Sequence, residues 1–100
     1  LPDYRLSASA LLDLGDIFAF SAQQYGRSQA EKYFASMRAT FHRLALNPNI
    51  GSAASGVTPT LRRHSVGTHV VFYRPTSTGI FIVRVIHTAR LTGNLPDDLA

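Results

Sequence analysis

The chain contains no cysteine and, between Glu31 and Asp97, no acidic residue. Without cysteine there is neither a disulfide framework nor a thiolate metal site, so a chain of this size must hold together by its core alone. No run of about 18 apolar residues exists to span a bilayer. The start lacks the basic flank and apolar stretch of a secretion signal. A soluble, cytoplasmic protein with no membrane partner is expected, and because the first residue is Leu, at least one residue is expected ahead of it. The missing acids leave Lys32, Arg38, Arg43, Arg62, Arg63, Arg74, Arg84 and Arg90 unopposed over the middle of the chain, and the formal net charge is +4. Such a balance calls for an acidic partner or a nucleic acid.

One hundred residues, 45% of them hydrophobic, make one domain over 1–100 with a single core. Nine of the ten basic residues are Arg. Arginine pairs bidentately with carboxylate or phosphate and tolerates interfaces better than Lys. A GC-rich genome would raise the Arg count too, but here five of the nine, Arg5, Arg62, Arg63, Arg74 and Arg84, fall within the expected strands.

Asp3-Tyr4-Arg5-Leu6 alternates polar and apolar residues as a short half-buried strand does. Ser7 or Ser9 then caps a helix in which Leu11, Leu12, Leu14, Ile17, Phe18 and Tyr25 recur at helical spacing, and Gly26 ends it. Ser28-Gln29-Ala30-Glu31 reads as a capping box opening a second helix. Its apolar stripe is Ala30, Tyr33, Phe34, Met37, Phe41 and Leu44, and Asn47-Pro48 stops it. Residues 47–60 read as a mobile loop. Three strands follow, turning at Gly67-Thr68 and Thr78-Gly79. The tail Leu91–Ala100 has few large apolar residues and is expected to be mobile. The order strand, helix, helix, strand, strand, strand predicts an α+β fold with a helical hairpin on one face of a mostly antiparallel sheet.

Strand parity sharpens this. It sets Phe81, Val83, Val85 and His87 against Ile80, Ile82, Arg84 and Ile86, and His69, Val71 and Tyr73 against Val70, Phe72 and Arg74. One hairpin covers one face, so an apolar face rimmed by Arg is expected to await a partner. Tyr33, Phe34 and Phe41 read as core, Gly67 as a turn residue, and His69 as a histidine that bonds the backbone. His87, beside Arg84 and Arg90, is a candidate functional residue. The four histidines have no close ligand spacing and no accompanying carboxylate, so no metal and no cofactor are expected.

Tyr4-Arg5-Leu6-Ser7, Asn47-Pro48-Asn49-Ile50-Gly51, Gly67-Thr68-His69-Val70-Val71-Phe72-Tyr73 and Arg84-Val85-Ile86-His87 together resemble the ParE toxins of the RelE/ParE superfamily, over nearly the whole chain. The resemblance implies the toxin half of a type II toxin-antitoxin pair of the plasmid-stabilisation kind. It would inhibit DNA gyrase, bind no DNA by itself, and be neutralised in a hetero-oligomer by a ParD-like antitoxin with an acidic C-terminal segment. Parity and charge put the antitoxin contact at Arg62, Arg74, Ile80, Ile82, Arg84 and Ile86, and the target contact at His87, Arg90 and Leu91. The alternative within the superfamily is a RelE-like ribosome-dependent mRNA endoribonuclease, for which Arg62, Arg84 and His87 would be catalytic. RelE relatives carry an Arg three residues before the Tyr of the middle strand. Here that position is Val70, which favours a gyrase poison with no catalytic residue of its own.

Overall fold

Ser7 sets the first turn of the structure. Its hydroxyl accepts the Ala10 amide at 2.9 Å, capping the helix that follows, and donates to the Val83 carbonyl at 2.6 Å, tying that junction to the last strand. The computed structural model describes residues 1–54, 60–91, 96 and 99. Its elements are β1 (Asp3–Leu6), α1 (Ala8–Tyr25), α2 (Arg27–Leu46), β2 (Ser52–Ala53), β3 (Arg62–Val66), β4 (His69–Thr76) and β5 (Gly79–His87). Single 3-10 turns cover Pro48–Ile50 and Thr88–Leu91. The sheet order is β1-β5-β4-β3-β2, with β1 parallel to β5 and every other pair antiparallel. This is the expected α+β arrangement, with the two-residue β2 added at the edge.

The hairpin turn differs from the sequence expectation. Gly26, at φ 89°, is at once the last cap of α1 and the first cap of α2, and α2 begins at Arg27. One glycine at positive φ reverses the chain, so no residue remains outside α2 to cap it with a side chain. Ser28 therefore lies inside the first turn, and Glu31 pairs with Arg27 Nε at 2.9 Å instead.

The helices cover one sheet face through Leu14, Met37, Phe41 and Leu44, which meet Val71, Tyr73, Ile80, Ile82 and Val85. On the opposite face Val70, Phe72, Val83 and Ile86 pack with Ala54, Leu61 and Leu99. The expected open apolar face is thus covered by the chain itself. Parity in β5 also slips. Phe72 pairs with Arg84 and Tyr73 with Ile82, so Val83 is an extra residue in β5 and the faces exchange across it. Ile80 and Ile82 face the helices before the bulge, and Val85 does so after it.

Two other segments are tied more firmly than expected. In the 47–60 stretch, the buried Tyr73 hydroxyl donates to Pro48 O at 2.6 Å and accepts the Gly51 amide at 3.0 Å. In the tail, Leu99 is 0% exposed and belongs to the second cluster. The rest of the expected mobility, at 55–59, 92–95, 97, 98 and 100, falls outside the described residues.

Candidate functional site

The hydrogen bonds of two histidines and a tyrosine define the polar end of the hairpin face. Gly67, at φ 56°, turns β3 into β4 directly beneath the Tyr33 ring, where a Cβ would come within 2.6 Å of a ring carbon. The close approach lets the Tyr33 hydroxyl reach Val66 O at 2.9 Å and His69 Nδ1 at 2.7 Å. A carbonyl only accepts, so with both bonds made Tyr33 donates to Val66 and His69 donates from Nδ1. Nε2 of neutral His69 then keeps its lone pair. His87 lies opposite His69 in the ladder, the two rings 5.1 Å apart and nearly perpendicular. The Ala89 amide donates to His87 Nδ1 at 3.0 Å, so neutral His87 carries its hydrogen on Nε2.

This cluster floors a groove of about 550 Å³ between the two helices and the β3–β4 turn, walled by Ile17, Phe20 and Tyr25 and edged by Lys32, Ser36 and Thr68. His69 is 8% exposed. Burial, and then the neighbouring His87, push its pKa below the usual histidine value, while Asp13 pulls the other way. His64, on the far strand, is lowered by burial and then by Arg43. With donors from His87, Lys32 and Thr68 and no carboxylate among its lining residues, the groove can receive an anion beside an apolar group.

The residues expected to bind or cleave do not converge. Arg84 forms a bidentate pair with Asp13 of α1, Nε to Oδ2 at 2.7 Å and Nη2 to Oδ1 at 2.9 Å, with the two side chains 14% and 13% exposed. Asp13 also accepts the Val85 amide at 3.0 Å. The acid expected from a partner for Arg84 is therefore supplied within the chain. Arg62 donates to the Gly51 carbonyl and, at 3.3 Å, to Asn49 O, so it holds the segment before β2. It is level with Tyr73 and Ile82 in the ladder, whereas His87 is level with His69. At about 3.3 Å per residue, Arg62 and His87 sit at sheet ends about 15 Å apart.

Ile80, Ile82 and Ile86 are 1%, 0% and 1% exposed, so none presents a surface. Arg74 is half-buried on β4, opposite Phe81. Arg90 is exposed and Leu91 half-buried in the 3-10 turn that follows His87, and Leu91 packs against the second core cluster. Val70 is 1% exposed in the second core cluster. His69 bonds a side chain, Tyr33, where a backbone bond was expected.

Sequence reasoning missed Asp13 and the polar role of Tyr33. Both left a trace. Asp13 interrupts the apolar spacing Ala10, Leu14, Ile17, and Tyr33 is a polar-tipped ring in an otherwise hydrocarbon stripe.

A family model described as "ParE toxin of type II toxin-antitoxin system, parDE" matches residues 4–92. Toxin ParE1 of Caulobacter vibrioides is 39% identical over 84 residues, 84% of this chain and 86% of that protein. Toxin ParE1 of Mycobacterium tuberculosis H37Rv is 39% identical over 85 residues, 84% of this chain and 87% of that one. A solved chain titled "Chromosomal ParDE TA system from P. aeruginosa" superposes with a TM-score of 0.72 at 18% identity, covering 86% of this chain and 95% of that one, which is a likeness of fold. Among the described residues no helix is long and apolar enough to cross a membrane. From the match over residues 4–92 and the shared identity across most of its length, the chain belongs to the ParE toxin family of type II toxin-antitoxin systems.

Proposed function

We propose that this toxin kills by binding DNA gyrase and that a cognate ParD-like antitoxin silences it by covering the contact surface. The observation that carries the reading is the dispersal of the nuclease candidates. Arg84 is spent on Asp13, Arg62 on loop carbonyls, and His87 stands at the other end of the sheet. A phosphate-cleaving site needs a cation and a proton-transfer group within hydrogen-bond reach of one reacting centre. These three do not meet that condition. Val70, where RelE relatives carry Arg, is packed into the core.

What remains for a target is the end of β5 and the turn after it, with Arg90 exposed and His87 and Leu91 half-buried. The apolar side chains left in solvent lie mainly on α1: Leu11, Leu12, Phe20 and Tyr25 are 62%, 71%, 58% and 69% exposed. Four large apolar residues in water on one helix mark a surface for another protein. The antitoxin contact therefore moves from the buried β5 isoleucines to the hairpin. The test is expression of the toxin without antitoxin. Cells should accumulate cleaved DNA and mount an SOS response while translation continues. Early loss of translation with intact DNA would replace this reading with the ribonuclease one.

A further inference from the structure

We propose that the strip where α2 lies beside β3, marked by Lys32, Arg43, Arg63 and His64, is a seat for duplex phosphates, and that it grips the DNA on which gyrase is working while the toxin holds the enzyme. The inference rests on the reading that gyrase is the target. Local geometry sets the strip. Lys32 and Arg43 are eleven residues apart, about three turns of α2, so both stand on one exposed side of it about 16 Å from each other. That side overlooks β3. Tyr33, next to Lys32, bonds Val66 O, and Arg43 lies close enough to His64 to add to the lowering of its pKa that burial begins. Among the described residues β2 pairs only with Arg62 and Arg63, so it stops short of His64. At that step a hollow of about 310 Å³ is lined by Ile50, Ser52, Arg63, His64 and Ser65. The Arg63 guanidinium is held there by the Phe72 ring, 5.4 Å from its centre.

The occupant is argued from charge and from what the strip lacks. Among the described residues Lys32, Arg43 and Arg63 make no ion pair, whereas Arg27 is paired with Glu31 and Arg84 with Asp13. Hydroxyl groups of Ser36, Ser52, Ser65 and Thr68 lie along the same strip, and no carboxylate lines the hollow. Cations and hydroxyls spread over about 16 Å suit a backbone that carries one charge per about 3.4 Å of axis on each strand. A single strand would need rings on which to stack its bases, and no aromatic residue lines the hollow. An acidic peptide would need apolar anchors, and Ile50 is the one large apolar side chain lining it. Three cations alone give a weak, salt-sensitive grip. The contact therefore counts where gyrase has already brought toxin and DNA together.

The experiment uses the full toxin and purified gyrase, with affinity measured without DNA and with saturating linear duplex, from about 50 to about 200 mM salt. DNA should raise the wild-type affinity. The ratio of the two affinities should fall with salt at a log-log slope of about −2.7, three phosphate contacts at about −0.9 each. Arg43→Gln with Arg63→Gln should bring that slope to about −0.9 and leave the affinity for DNA-free gyrase unchanged. Arg43→Gln alone, at an exposed helix position, should give about −1.8, a reading that stands even if the Arg63 change disturbs β3. Arg5→Gln, exposed on β1 at the opposite edge of the sheet, is the control and should behave as the wild type. No gain with DNA, or a slope that the double variant leaves at the wild-type value, would overturn the phosphate seat. Weaker antitoxin binding by the double variant with its DNA gain intact would also overturn it, in favour of an acidic-peptide seat. Failure of the wild-type toxin to bind gyrase with or without DNA would instead overturn the gyrase reading on which the seat stands.

Discussion

The two ends of the sheet use the same chemistry to opposite purposes. At one end the Tyr73 hydroxyl bridges Pro48 O and the Gly51 amide while Arg62 grips the carbonyls of the same loop. At the other the Tyr33 hydroxyl bridges Val66 O and His69, and His87 turns toward an open groove. Tyr73 is 0% exposed and its bonds close on the chain's own backbone. Tyr33 is half-buried, and the histidine it orients keeps one ring nitrogen unused. The difference separates polar residues that hold the fold from those free to meet something else. By that measure Arg62 and Arg84 belong to the fold, while His87 and Lys32 line the open groove.

The comparison predicts large losses where polar partners are internal. Asp13→Ala leaves the mostly buried Arg84 guanidinium without its carboxylate and the Val85 amide without its acceptor. Thermal or denaturant unfolding should show a loss of about 4 kcal/mol. A change under about 1 kcal/mol would mean that this pair is as exposed in effect as an ordinary surface ion pair.

The tyrosines give the sharpest contrast. Tyr73→Phe strands two backbone groups in a buried place and should cost about 2 kcal/mol in the same measurement, whereas Tyr33→Phe, at the open end where water replaces the hydroxyl, should cost less than about 1 kcal/mol. Equal losses would erase the distinction between the ends. In cells lacking antitoxin, His87→Ala should cost toxicity no more than one interface contact, about 1 to 2 kcal/mol, so that higher expression restores killing.

The smallest effect is on stability against pH. His69 and His64 have folded-state pKa values depressed below the unfolded value, so the unfolded chain binds their protons more readily. Stability of the free toxin should be full above about pH 7 and decline as pH falls through 6.5 toward the folded-state values. His69→Gln should flatten part of that decline. A free toxin that becomes more stable on acidification over this range would contradict the buried placement of His69 and the half-buried placement of His64.

Much of this architecture was legible in the residues. The helical spacing, the Gly26 and Gly67 turns and the stop at Asn47-Pro48 are local signals, and local signals set both helices and the meander. The faces of β5 were not legible, because a bulge at Val83 depends on how β5 meets β4, and alternation alone carries no trace of an extra residue. That slip is why Ile80 and Ile82 were expected at a partner's surface and lie beneath the helices. Leu99 illustrates a second limit. A single large side chain in a polar tail does not reveal that the far sheet face has a place for it. The proposed contact end was half visible. His69 and His87 stand out as residue types, but Tyr33 joins them only once the Gly67 turn passes beneath its ring.

The central claim is that this toxin acts by binding at the His69–His87 end and performs no cleavage of its own. The most direct measurement incubates the purified toxin with gyrase and supercoiled DNA and, in parallel, with translating ribosomes. The account predicts inhibited supercoiling or trapped DNA breaks with gyrase, relieved by antitoxin, and intact messenger RNA on the ribosome. Ribosome-dependent cleavage of messenger RNA by the wild-type protein, abolished in His87→Ala, would contradict it.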